Sequence, residues 1–236
     1  MKIEIWSDIM CPFCYIGKRR LESALADFEY SDRVQIEWKS FLLNPDMVTD
    51  TSKSTVEYLS ETKGWSMEQT QQMISQVEEM AKEEGLTYHM DKTVVANAKN
   101  AHRLLQLSKT LGKGDLMKER LLKAYFTEGA NIDDTSALLK LALEVGLEKD
   151  RVLATLESNE FMDKVNRDIE ESRQLGVRGV PFFVLDRKFG ISGAQPKSMF
   201  DQNIQKAWEG FVMENPILQV AKNQEGTACD VDGNCD

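Results

Sequence analysis

The chain has 236 residues, 42% of them hydrophobic, which is enough for a sizeable core, and no apolar run approaches the ~20 residues that cross a bilayer. Acidic residues outnumber basic ones 39 to 29, and the resulting net charge of −10 argues against nucleic acid as a partner. With no charged-then-apolar leader ahead of the first strand, a cytoplasmic protein without a membrane partner is expected, and there close cysteines are more often reactive than structural.

Residues 2–8, Lys2-Ile3-Glu4-Ile5-Trp6-Ser7-Asp8, alternate polar and apolar side chains and predict a strand with one buried face. It leads into Cys11-Pro12-Phe13-Cys14. Beyond, Cys14, Gly17, Leu21, Ala24, Leu25 and Phe28 recur at helical spacing, which leaves Lys18, Arg19, Arg20 and Glu22 to a solvated face. Pro12 suits the first helical turn, because its missing N–H is one that would be unpaired there. Cys11 then stands at a helix N-terminus, where free N–H groups and the macrodipole favour an anion. Cysteines so placed have pKa values of roughly 3.5–7.5, so Cys11 is expected to be an ionised nucleophile. Cys14, one turn on and facing inward, fits the resolving thiol. Zinc sites use the same Cys-x-x-Cys spacing, and the position between strand and helix favours the redox reading.

Residues 33–41 alternate again and predict a second strand, parallel to the first in a right-handed βαβ unit. From residue 54 to about 175 every periodic stretch is helical. Ser54 with Glu57 and Ser66 with Gln69 form capping boxes, and Gly64, Gly85 and Gly112 mark stops. Met67, Met73, Ile74, Val77, Met80 and Ala81 make one apolar stripe, and further helices are expected over 97–111, 115–128, 135–145, 149–158 and 160–175. Residues 182–185 and 189–192 flank Asp186-Arg187-Lys188 and read as an antiparallel hairpin. Pro196 opens a helix to about Met213, and another is expected from Asn215-Pro216. The expected organisation is one α/β domain built from residues 1–50 and 176–222, an inserted all-helical domain over 51–175, and a mobile polar tail, 223–236, that carries Cys229 and Cys235.

Strand-helix-strand followed by strand-strand-helix, with Val180-Pro181 just before the third strand, resembles a thioredoxin fold. A large helical insertion between the halves is the architecture of DsbA-like proteins. The sequence looks most like their FrnE-like branch, on Ser7-Asp8 with Cys11-Pro12-Phe13-Cys14, Asn100-Ala101-His102-Arg103-Leu104, residues 176–184 and Ile191-Ser192-Gly193-Ala194-Gln195. The resemblance implies a cytosolic dithiol-disulfide oxidoreductase or isomerase with Cys11 as nucleophile and no bound cofactor. It also implies a cis Val180–Pro181 bond beside the cysteines, with Pro12, Phe13, Val180 and Pro181 meeting the substrate. Phe13 stands where the family commonly has Trp or Tyr and DsbA a His, which implies a milder oxidant than DsbA. The pair Cys229 and Cys235 resembles the extra C-terminal cysteines of some FrnE-like proteins and is expected to relay electrons to or from Cys11 and Cys14. Three further residues are candidates for tuning the site. His102 would lower the Cys11 pKa from across the cleft, Asp8 would take the Cys14 proton, and Trp6 lies near the motif.

Three functions are compatible with these residues. Disulfide exchange on protein or peptide thiols, with glutathione as a further partner, uses both cysteines. Glutathione-dependent isomerases and transferases of the hydroxychromene-carboxylate and kappa classes share the insertion, but usually have Ser at the position matching Cys11. A zinc-stabilised binding module would need all four cysteines.

Overall fold

A computed structural model describes residues 1–216. The expected helix beyond Pro216 and the Cys229/Cys235 pair lie outside them. The α/β part begins with β1 (Lys2–Ser7), α1 (Pro12–Ala26) and β2 (Gln35–Ser40). Seven helices follow: α2 (Thr55–Lys63), α3 (Met67–Glu83), α4 (Lys99–Thr110), α5 (Gly114–Phe126), α6 (Thr135–Glu144), α7 (Lys149–Leu156) and α8 (Met162–Gln174). The chain then returns through β3 (Phe182–Leu185), β4 (Phe189–Ser192) and α9 (Lys197–Glu214). It is the α/β fold expected, a thioredoxin-like sheet interrupted by helices.

The four strands lie in the order β2-β1-β3-β4. β1 runs parallel to β2, with Ile5 opposite Trp38, and antiparallel to β3, with Ile5 opposite Phe183. Local chemistry sets the boundaries. Both capping boxes form, each serine accepting from the N–H three residues on, and Gly64, Gly85 and Gly112 take the positive φ that ends a helix without Cβ strain. In the hairpin turn, Asp186 and Arg187 both adopt positive φ.

Two expectations are corrected. β1 is buried on both faces, not one, because helices cover both sides of the sheet. Phe183 on one side packs edge-on against Phe200 of α9, 4.8 Å between centroids, while the Trp6 indole on the other donates to the Asp168 carbonyl of α8 at 2.7 Å. Glu4 is buried there and ion-paired with Arg187 and with Lys39. Nor is Lys18-Arg19-Arg20 a solvated face. Lys18 is only 2% exposed and pairs with Glu119 of α5 at 3.1 Å, Arg19 binds the same carboxylate, and Arg20 reaches Glu84 at 2.6 Å. These three cations fasten α1 to the helical segment.

Candidate active site

The start of α1 assembles the site. Pro12 is its first residue and Cys11 its N-cap, with extended backbone and no side-chain cap. One turn on, the Cys14 N–H donates to the Cys11 carbonyl at 3.0 Å. Across from them the Val180–Pro181 peptide is cis, and the Cys11 thiol donates to the Val180 carbonyl at 3.4 Å. Tyr88, from the segment between α3 and α4, donates its hydroxyl to the Pro12 carbonyl at 2.7 Å and stacks on Phe126. The four residues expected to meet the substrate flank this contact along the chain: Pro12, Phe13 and Val180 are half-buried, and Pro181 is buried.

Both cysteines are buried, Cys11 at 3% exposure and Cys14 at 1%, and no disulfide joins them. Two thiols this close titrate as a unit. The Cys11 thiol is pushed well up by its hydrogen bond to Cys14, by burial and by the negative charge Cys14 acquires. Burial works against the Cys14 thiolate too, but the Cys11 S–H, the Lys118 charge and the Ser7 hydroxyl outweigh it, and its pKa falls. The Ser7 hydroxyl exerts this pull without a hydrogen bond of good geometry. These directions run against the expectation of an ionised Cys11, because the partner thiol and burial oppose the anion that the helix N-terminus favours.

Asp8 and His102 meet, but not as expected. His102 is fully buried on α4, its Nε2 3.3 Å from Asp8 Oδ1, and burial lowers its pKa although Asp8 pulls the other way. A neutral imidazole bound to a carboxylate is not an imidazolium beside Cys11. Asp8 also accepts from the Met10 N–H at 3.2 Å and the Leu43 N–H at 2.7 Å. Burial opposes its charge, but these hydrogen bonds hold its carboxyl below the usual range, so Asp8 is committed as a loop-ordering anion and is a poor acceptor for the Cys14 proton. Trp6 faces α8 and is not brought to the cysteines. A cleft of about 440 Å³ on that side, lined by Glu37, Lys39, Lys109 and Asp168 among others, carries none of the candidate site residues.

Sequence reading missed Tyr88 and Lys118. Lys118 of α5 is fully buried, and its Nζ has no hydrogen-bond partner among the described residues. Its spacing was a usable signal: Lys118 sits three, four and seven residues before Leu121, Leu122 and Tyr125, in register with the apolar stripe of α5.

Residues 2–205 match the model of the DSBA-like thioredoxin domain. The chain belongs to that family. A solved structure described as a probable DsbA oxidoreductase, SCO1869 from Streptomyces coelicolor, is 36% identical, with 100% of this chain and 98% of that one covered and a TM-score of 0.84. The uncharacterized protein YwbO of Bacillus subtilis is 28% identical over 210 residues, 86% of this chain and 94% of its own length. The cytosolic disulfide reductase DsbM from Pseudomonas aeruginosa, 16% identical with a TM-score of 0.60 and 91% and 98% of the two chains covered, shares the family fold.

Proposed function

We propose that this protein is a thiol-disulfide oxidoreductase of the FrnE-like branch, exchanging disulfides with protein or peptide thiols and with glutathione at Cys11 and Cys14. The carrying observation is the Cys11 thiol at the start of α1, with Cys14 one turn on, donating to the carbonyl of the cis Val180–Pro181 peptide. Cys11 gives up its proton, and the Cys11 thiolate attacks a substrate disulfide. A Cys11–substrate bond forms and one substrate sulfur leaves as thiolate. Cys14 then loses its proton and attacks Cys11. The internal disulfide forms, the second substrate sulfur is released, and two electrons have passed to the substrate. The reverse sequence oxidises a dithiol. Half-buried Met10 and Phe13 adjoin Cys11, and exposed Leu43 is tied by its N–H to the same Asp8 carboxylate as Met10, which gives a peptide an apolar border to lie against.

The test is equilibration in glutathione buffers, with thiol alkylation and mass measurement on the intact chain, on Cys11→Ser and Cys14→Ser variants, and on a chain ending before Cys229. The expected result is an internal disulfide in the intact chain and a glutathione adduct trapped on Cys11 in Cys14→Ser. A pair that never oxidises contradicts the reading. The proposed relay through Cys229 and Cys235 requires the truncated chain to equilibrate differently.

A further inference from the structure

Residues 173–197 return the chain to the sheet and carry five cations. Arg173 holds Glu170 at 3.3 Å, Arg187 holds Glu171 at 2.6 Å, Lys188 holds Asp186 at 3.1 Å and Lys197 holds Asp27 at 2.9 Å. Arg178 differs from them. It is exposed, and it has no carboxylate, carbonyl or aromatic partner among the described residues. Its base is fixed, because Val177 is buried and donates its N–H to the Ser172 carbonyl of α8 at 2.9 Å.

Arg178 stands two residues before Val180, whose carbonyl accepts the Cys11 thiol at 3.4 Å. Two trans peptide steps keep the Arg178 Cα within about 7.6 Å of the Val180 Cα. A mixed disulfide brings the Cα of a substrate cysteine to about 4.4–6.8 Å from that of Cys11. Groups on the residues flanking that cysteine then fall within reach of a guanidinium on its flexible stem.

We propose that Arg178 is a specificity-determining residue that binds a carboxylate of the incoming disulfide, so that the site selects small carboxylate-bearing disulfides of the glutathione type. This deepens the exchange reaction proposed above and rests on it. Glutathione carries a carboxylate on the residue to either side of its cysteine, and its disulfide is a net anion. A chain of net charge −10 opposes such an anion at long range, so its recognition calls for a local cation. A guanidinium meets a carboxylate through two parallel N–H bonds. Arg19 and Arg20, which follow the cysteine motif in α1, are already held by Glu119 and Glu84. Arg178 is not so engaged. It takes no part in making or breaking S–S bonds and acts by holding the substrate.

The test mixes reduced full-length protein with oxidised glutathione or with the neutral bis(2-hydroxyethyl) disulfide, quenches by acid and alkylation, and follows oxidation of the Cys11 peptide by mass. The ratio of the two rates is the reading. Arg178→Ala should slow the reaction with oxidised glutathione by about fivefold, the upper end of what an exposed ion pair contributes. Arg178→Lys, which keeps the charge and loses the fork, should recover part of that loss, and Arg178→Glu should fall below Arg178→Ala. With the neutral disulfide all of these chains should react alike, since the cysteines are untouched. A wild-type rate ratio in Arg178→Ala overturns the proposal. An equal loss with both disulfides overturns it too, because the effect would then lie on the cysteines and not on the carboxylate. A Cys14→Ser chain that forms no Cys11 adduct with either disulfide would instead defeat the dithiol reaction itself.

Discussion

At neutral pH the Lys118 ammonium sits in a site with no hydrogen-bond acceptor among the described residues, and that strain has a sign. The native group releases its proton at about 8 and the unfolded one near 10.5. Between those values the unfolded chain binds more protons, so stability rises with pH through that window. A displacement of this size corresponds to about 3 kcal/mol. Lys118→Met should therefore gain stability of that order at pH 7, and most of the gain should be gone at pH 10.5, as read by urea denaturation at both. An equal difference at the two pH values would contradict the burial argument. His102 carries the same sign: its native pKa lies below 6.5, so the unfolded chain takes the proton first and stability falls as pH drops through 6.5. Its ring resonances should titrate with a midpoint below 6.5, and a midpoint at or above 6.5 by NMR would contradict the burial argument. The sequence made Cys11, Cys14, Asp8 and His102 visible as chemistry-bearing residues. It could not reveal which pairs form, because Asp8 and His102 are 94 residues apart and which thiol holds the proton depends on what surrounds both.

Helix α1 was legible in its pattern and not in its surroundings. Its N-terminus follows from Pro12, and its inner face from the spacing of Gly17, Leu21 and Ala24. That Lys18, Arg19 and Arg20 would turn to Glu84 and Glu119 depends on helices far along the chain, and no local period encodes it. The capped helices show the converse: Ser54 and Ser66 mark their boundaries because a cap is satisfied within four residues. Gly17 exposes a tension between element and neighbour. In a helix interior Ala is preferred to Gly by about 1 kcal/mol. Here an added Cβ would stand 3.0 Å from Pro181 Cγ and 3.1 Å from Phe183 Cζ, inside normal contact. Overpacking of this kind costs typically about 1–3 kcal/mol, so Gly17→Ala should lower stability by about 1 kcal/mol net. A stabilised variant in denaturant titration would show that β3 yields to α1.

Over the whole molecule, the helical segment and the sheet share one core, with β1 residues Ile3 and Ile5, α4 residues Leu104 and Leu105 and α5 residues Leu121 and Leu122 all buried in it. The polar ties run the same way. Asp168 of α8 accepts from the Ser40 N–H of β2 at 2.8 Å and through its carbonyl from Trp6, while Trp38 donates to Asp115 at 2.9 Å and its carbonyl accepts from Lys109 at 2.6 Å. Removing the helices would strip one face of the sheet and orphan these buried groups, at about 1–3 kcal/mol each. The pattern of strands and helices delineated two parts, but whether they unfold as two depends on what lies between them. The expected outcome is one transition: tryptophan fluorescence, dominated by buried Trp6, Trp38 and Trp208, and far-UV circular dichroism, dominated by the helices, should give the same denaturation midpoint. A fragment of residues 51–175 should show no cooperative melt, since the faces of α4, α5 and α8 that meet the sheet would be bared to water. Two separated midpoints, or an autonomously folding fragment, would mean that Tyr88 is held at the Pro12 carbonyl by docking of a separate unit and not by a common core.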